Sequence, residues 1–405
     1  MSNGLKRKRG YFRKRVWVDL GFLSIALVLG YTFREHLALP RLLNDHKKWE
    51  ARPKLDLAAA PRAKVQMGQS GLPPCFFLVP PSELKQPVES GSVDDCALLV
   101  PDGSRWDLFE VSFMSAWVLP IVTDVYVVGT MPLAFTRTYR TLDDLSYRTK
   151  IYLMDVYDPC LRGEHHPYSS AEWNLPDDLT IPYRRVSPGT GFEDAIFEHK
   201  FPIPIFGGSR VAWNGGGWDM SLADGTTYMT PEAGNATRPS QSSLVGIFDR
   251  DGNEVRLKRE SNGNLVRIES PGGGWIRITY SENRMIRVEN NTGDKVDYDY
   301  DRAIRLRRTT NSQGITRDYA YDAQNHLLKV VDSKAGPLLE AAYDSGGKIV
   351  EATLGGTSSY YFSYEQDERG YVLQANVIGP QSDVTRVRIG DGSYTVEKLP
   401  RARTR

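Results

Sequence analysis

The sequence predicts a mainly β chain: a single N-terminal transmembrane α-helix, an irregular β domain, and then tandem β-hairpins joined in one continuous antiparallel sheet. Three observations predict this. A basic arm runs into an apolar span at residues 16–33, and alternating apolar and polar runs fill most of the rest. Five tyrosines, Tyr280, Tyr300, Tyr321, Tyr343 and Tyr364, recur at intervals of 20, 21, 22 and 21 residues with similar neighbours each time. Such a period marks a supersecondary unit that cannot bury its apolar face alone and must stack on its neighbours.

The N-terminal 15 residues form a basic tail, with seven Lys/Arg and no acid in residues 5–15. The span from Val16 to Phe33 holds one charge, Asp19, and as a helix would reach roughly 27 Å, close to the ~30 Å hydrocarbon core of a bilayer. Trp17 and Tyr31 sit where interfacial aromatics belong. The positive-inside rule places the N-terminus in the cytoplasm and the body in the periplasm or outside the cell. A cleaved signal peptide would export the same body, but Gly30-Tyr-Thr-Phe-Arg-Glu35 offers no small-residue cleavage site. Residues 34–71, rich in charge, Pro and small residues, read as a stalk.

A β-rich domain is expected over residues 72–240, with an apparent insertion at about 141–212. Cys75 and Cys96 flank a segment of hairpin size and form a possible disulfide, while three reduced thiols including Cys160 are the alternative. No C-x-x-C or paired Cys/His spacing is present, so no metal site is expected.

The repeat region, residues 241–400, aligns on its tyrosines. Seven residues before the tyrosine stand Gly273, Gly293, Gly314 and Gly336, with Gly356 one place off in the fifth unit; fifteen before stand Leu265, Met285, Leu306, Leu328 and Ile349. Glycine between two alternating runs marks a tight turn that needs a positive φ, and the runs are strands. Asp301, Asp322 and Asp344 follow their tyrosines, where a carboxylate can accept from backbone two residues on. Period-2 spacing puts Tyr319 and Tyr321 on one face, giving the sheet an aromatic side.

The Gly…Tyr-Asp pattern, with Asn262-Gly-Asn-Leu265 opening a unit, resembles the YD repeats of the Rhs family, also found in teneurins. Upstream, Pro132-Leu-Ala-Phe-Thr-Arg-Thr-Tyr-Arg140, Asn214-Gly-Gly-Gly-Trp218-Asp-Met-Ser-Leu222 and Asp224-Gly-Thr-Thr-Tyr228 resemble the segment preceding such repeats, except that about 75 residues here separate the first two. The resemblance implies a curved repeat sheet. With five clear units, and without the family's Asp-Pro autoproteolytic core motif, it implies a short, membrane-anchored member carrying no toxin cargo.

Composition and motifs narrow the function. The formal net charge of +1 hides 15 Lys/Arg against 5 Asp/Glu in residues 1–64, leaving 36 against 45 for the body, which would repel a phosphate backbone. Nucleic acid is therefore excluded as a partner. No G-x-S-x-G, Walker or dinucleotide fingerprint is present, so no enzyme activity, catalytic residue or cofactor is expected. Asp249-Arg-Asp-Gly-Asn-Glu254 reads as a hairpin turn rather than a calcium loop, and Trp213 and Trp218 read as core. The expected function is a non-enzymatic interaction module on the membrane, with the bilayer met through residues 16–33. Its unknown ligand is a protein or a glycan, with Tyr298, Tyr319 and Tyr321 as a possible carbohydrate face. A fragment or accessory of an Rhs-type toxin-delivery system is the alternative. A glycan hydrolase using Asp158, Glu164 and His165 is a third reading.

Overall fold

The computed structural model describes residues 74–399 except 79–92, 96–104, 106, 114–115, 145–146, 156, 165–166, 176–179, 201–205, 233, 383 and 391–392. Two antiparallel sheets account for the described chain. Six strands, Pro74–Leu78, Val93–Asp95, Asp107–Ser112, Trp117–Val127, Leu133–Asp144 and Tyr147–Asp155, form the first sheet, with Val93–Asp95 at one edge. The second sheet runs from Cys160–Gly163 to Ser393–Leu399 and holds 22 strands, each paired with the next in sequence. Its neighbours in space are neighbours in the chain, as stacked hairpins require.

The repeats fold as their pattern dictates. Leu306–Asn311 and Thr316–Tyr321 are strands joined across Gly314, and Leu327–Asp332 and Gly336–Tyr343 repeat the arrangement. Gly273, Gly293, Gly314 and Gly336 all lie between φ 76° and 95°, the left-handed region that a Cβ disfavours. At the other sheet edge the aspartate closes each turn. Asp301 Oδ1 accepts from the backbone of Ala303 and Arg305, and Asp344 Oδ1 from Gly346 and Lys348, all at 2.8–2.9 Å. Asp249 does the same for Asp251 and Asn253, so the acidic run there is a turn.

Four of the five repeat tyrosines oppose an aliphatic residue of the next unit across a β-bulge: Tyr280 faces Met285, Tyr300 faces Leu306, Tyr321 faces Leu327, one place before the aligned Leu328, and Tyr343 faces Ile349, while Tyr364 faces Ala375. The phenol reaches the other way. Tyr300, Tyr321 and Tyr343 donate to the carbonyls of Met285, Leu306 and Leu327 at 2.7, 3.0 and 3.1 Å, tying both strands of a unit together. Tyr280 and Tyr364 pack against the same core.

One turn breaks the rule. Ile304 holds φ 69° where the equivalent turn positions carry Asn325 or Gly347. A β-branched side chain is strained in that region by about 1–2 kcal/mol. Ile304→Gly is therefore expected to stabilise the protein by ~0.5–1 kcal/mol after the added freedom of the unfolded chain is counted, read as a raised thermal midpoint.

Where the long sheet begins, it curls back on itself. Cys160 bridges to Ser243, Leu244 N–H donates to the Pro159 carbonyl at 3.2 Å, and Arg259 bonds the Tyr157 carbonyl and, at 3.3 Å, Asp158. Trp173, Tyr183, Phe197, Phe206, Met220 and Tyr228 are buried under this curl. Trp213 and Trp218 are a cross-strand pair with rings 5.2 Å apart, and Trp218 Nε1 donates to Glu232 at 2.8 Å. Trp218 is buried in the core, and Trp213, partly buried, packs against it.

The expected domain boundary shifts. Strands between residues 160 and 213 belong to the same sheet as the repeats, so the sheets divide at residues 156–159 rather than at 240. The apparent insertion at 141–212 is the passage from one sheet to the other. It separates Thr136-Arg-Thr-Tyr139, in the first sheet, from the Gly217–Ser221 strand in the second. Among the described residues no helix is long and apolar enough to cross a membrane; the Val16–Phe33 span lies outside them.

Candidate functional site

Most of the strand Trp117–Val127 is apolar, and Asp124 is its one charge. A bulge between Thr123 and Val125 leaves Asp124 out of the ladder and lets its carboxylate turn into the interface with the repeat sheet. Arg137, on the neighbouring strand, is 0% exposed and donates from Nε to Asp124 Oδ2 at 2.6 Å. From Nη2 it donates to the Tyr319 hydroxyl at 3.0 Å. Its guanidinium lies 5.6 and 5.7 Å from the ring centres of Tyr298 and Tyr319, and the Tyr298 hydroxyl completes the cluster by donating to Asp124.

Electrostatics lock these protonation states. Burial, reinforced by the neighbouring Asp124 carboxylate, pushes the Tyr298 phenol well above its usual range. Burial works against the Arg137 charge, but Asp124 and the two phenols outweigh it and hold the guanidinium protonated. The arrangement supplies fixed charge and hydrogen bonds, not an exchangeable proton. It is a joint between two sheets.

Two further joints flank it. Arg317, in the repeat sheet, makes a bidentate pair with Asp107 of the first sheet at 2.8 and 2.7 Å and reaches Asp332 at 3.2 Å. His326 Nδ1 meets Asp322 Oδ2 at 2.7 Å, stacks on Tyr343 at 4.6 Å, and takes the edge of Trp117 at 5.1 Å. Beside it, Ile349 N–H donates to the Ala116 carbonyl at 2.8 Å.

Next to the Asp124 joint is a polar cleft of about 540 Å³. One wall is Thr123–Val128 with Arg105; the other consists of three successive repeat turns around Gly273, Thr292 and Ser312.

A sequence comparison identifies the repeats. The family model of the teneurin YD-shell matches residues 274–385, the stretch in which tyrosine, glycine and aspartate take the positions just described. Residues 274–385 are a YD-shell repeat region of the kind found in the Rhs/YD-repeat family. No curated protein matches it. Among solved structures, the Photorhabdus luminescens Tc holotoxin pore is similar at 12% identity and TM-score 0.29, over 72% of this chain and 16% of that one. The TcdB2–TccC3 complex without its hypervariable C-terminal region is similar at 14% identity and TM-score 0.31, with the same coverages. A porin-like protein from Bacteroides uniformis covers 69% of this chain and 91% of its own at 10% identity and TM-score 0.19. The chain thus spans 16% of the length of either Tc chain, and the likeness to YD-repeat proteins rests on the repeat sequence at residues 274–385.

The candidate ligand face needs correction. Tyr298 and Tyr319 are 5% and 6% exposed beneath the first sheet, and Tyr321 is partly buried with its hydroxyl on the Leu306 carbonyl. Alternation put these tyrosines on one side of the sheet correctly, but that side is covered and presents no platform to a sugar. The possible Cys75–Cys96 bridge involves one residue outside the described set; the backbone of Cys75 pairs with Asp94 in an antiparallel pair of the size expected. Cys160 is buried and unbridged, its thiol pushed up by burial.

Candidate acids elsewhere are engaged. Asp158 pairs with Arg259, Glu164 accepts from Ser169, Asp194 pairs with Arg185 at 2.9 Å, and His165 lies outside the described residues. Among the described residues no group of three His, Cys, Asp or Glu could hold a metal. Sequence reasoning missed Asp124 and Arg137. Half of the signal was there: Asp124 is the one charge of an otherwise apolar strand, whereas Arg137 shares its strand with Arg140, Asp143 and Asp144.

Proposed function

We propose that this YD-repeat chain is a non-enzymatic interaction module, with recognition carried by the outer face of the repeat sheet and by the turns at its edge. The observation that carries the reading is the Asp124–Arg137–Tyr298–Tyr319 joint, by which the first sheet covers the aromatic side. What remains outward is mostly polar, with Ile286, Tyr361, Leu373 and Ile378 as exposed apolar residues among the charges. Cross-strand ion pairs run along it, including Arg287 with Asp297 at 2.5 Å and Arg308 with Asp318 at 2.6 Å, a surface suited to specific rather than greasy contact. The basic tail and the Val16–Phe33 span support display of this module from a membrane, with the body outside the cytoplasm.

Affinity capture with the detergent-purified full chain tests the reading. A retained glycan or protein, competed off by soluble ligand and left chemically unchanged, is expected. Turnover of peptidoglycan or a polysaccharide that disappears in Asp158→Asn or Glu164→Gln would instead establish a hydrolase. The likeness to YD-repeat proteins favours a second reading, an accessory of an Rhs-type toxin-delivery system, which predicts retention of a secretion component or a detached cargo. For topology, a reporter fused at residue 70 is expected to be active only outside the cytoplasm; cytoplasmic activity would overturn the orientation.

A further inference from the structure

The cleft beside the Asp124 joint offers charges of both signs on walls that are already braced. A Cβ added at Gly274 would come within 2.5 Å of Val127 Cγ1, so the first repeat turn sits directly against the opposite wall. At the next turn, Asn290 Nδ2 donates to the Tyr126 carbonyl at 2.9 Å. Walls fixed before a ligand arrives lower the ordering cost of binding. The volume, about 540 Å³, falls in the range of small-molecule sites.

Four charged side chains line the cleft, Arg105, Asp124, Asp294 and Lys295, and they are unevenly committed. Asp124 is held inside the joint by Arg137 and Tyr298. Asp294 is exposed: its Oδ2 accepts from Asn290 at 3.1 Å and Thr292 at 3.3 Å, and no cation pairs with it among the described residues. Arg105, on the opposite wall, is exposed and lies over the Tyr126 ring at 4.9 Å; neither it nor Lys295 has a carboxylate partner among the described residues. One wall thus carries an accessible cation, and the other an accessible carboxylate with a second cation next to it in sequence. Neutral groups fill the rest of the repeat side, where Asn291, Thr292, Asn311, Ser312 and Gln313 supply amides and hydroxyls. Such groups match the N–H and C=O of peptide bonds. A ligand complementary to the whole cleft carries a carboxylate at one end, an ammonium at the other and amides between.

We propose that this cleft is a binding site for a short zwitterionic peptide, whose terminal carboxylate pairs with Arg105, with Lys295 adding positive charge, and whose terminal ammonium pairs with Asp294. An extended tripeptide is at most about 10 Å long, a length suited to a site of this size. The inference deepens the interaction-module reading and rests on it, naming a ligand class for the turn edge.

Isothermal titration of the purified full chain with triglycine, N-acetyltriglycine and triglycine amide tests the site, because the blocked forms each lack one terminal charge. Saturable binding of triglycine is expected, with each blocked form weaker by about tenfold or more. Arg105→Gln is expected to weaken triglycine by about tenfold and to erase its advantage over triglycine amide; Asp294→Asn is expected to weaken it similarly and to erase its advantage over N-acetyltriglycine. Both positions face solvent, so the thermal midpoint should stay level in each variant. No saturable binding of triglycine, equal binding of either blocked form, or variants that keep the full preference for triglycine would overturn the proposal. Capture of another partner by a chain that ignores triglycine would remove the cleft site and leave the module reading intact.

Discussion

Arg137→Leu is expected to destabilise the protein by about 3–5 kcal/mol, the largest effect of any single substitution considered, because it leaves a buried carboxylate without its counter-charge. Asp124 is 5% exposed at its side chain, and among the described residues its one cationic partner is Arg137. The Tyr319 hydroxyl loses its donor at the same time. Asp124→Asn combined with Arg137→Leu removes both charges and is expected to recover a large part of the loss. Recovery distinguishes a charge pair from simple packing. Denaturant unfolding of the two single variants and the double variant measures the coupling. A loss below about 1 kcal/mol for Arg137→Leu would mean that the pair is solvated and the sheets are not joined there.

Alkaline pH is expected to unfold the protein steeply from about pH 10. Burial raises the phenols of Tyr183, Tyr298, Tyr300, Tyr343 and Tyr364 above the ordinary value of 10.0. An acid whose folded pKa is raised favours the folded state fully below its unfolded pKa and loses that advantage as pH rises toward the folded value. Between those limits the unfolded chain releases protons that the folded chain keeps. Each such phenol costs about 1.4 kcal/mol per pH unit, so the five together cost roughly 7 kcal/mol per unit. The thermal midpoint should be nearly level up to pH ~10 with respect to these groups and then fall abruptly, and Tyr300→Phe should make the fall shallower. A midpoint unchanged at pH ~11 would show that these phenols are reachable by water in the folded state.

These expectations divide along what the sequence could carry. Hairpins were legible because their determinants are local. Gly314 sits between two alternating runs, and Asp301 and Asp344 lie where a side-chain oxygen meets the backbone two and four residues on. The tyrosine-to-carbonyl tether, such as Tyr321 to Leu306, was half legible: both residues stood out in the alignment, but their bond depends on a bulge that periodicity does not announce. Period-2 alternation found the aromatic face without saying what covers it. That cover depends on contacts such as Tyr298 with Asp124, 174 residues apart, and Arg317 with Asp107, 210 apart. No local pattern encodes such distances. The division between sheets was misplaced for a similar reason, since Thr180–Arg185 and the repeats share a sheet without sharing a motif. In the candidate site, Gly273 and its turn were read as architecture; only the opposing strand makes that edge a cleft.

The central claim is that the tyrosine side of the repeat sheet is covered by the chain's own first sheet. Nitration of the folded full chain with tetranitromethane, followed by peptide mass spectrometry, tests it most directly. Tyr361 and Tyr371, 49% and 65% exposed, should be modified, while Tyr298 and Tyr319 stay untouched until the protein is denatured. Nitration of Tyr298 and Tyr319 in the native state, at a rate like that of Tyr371, would contradict the account.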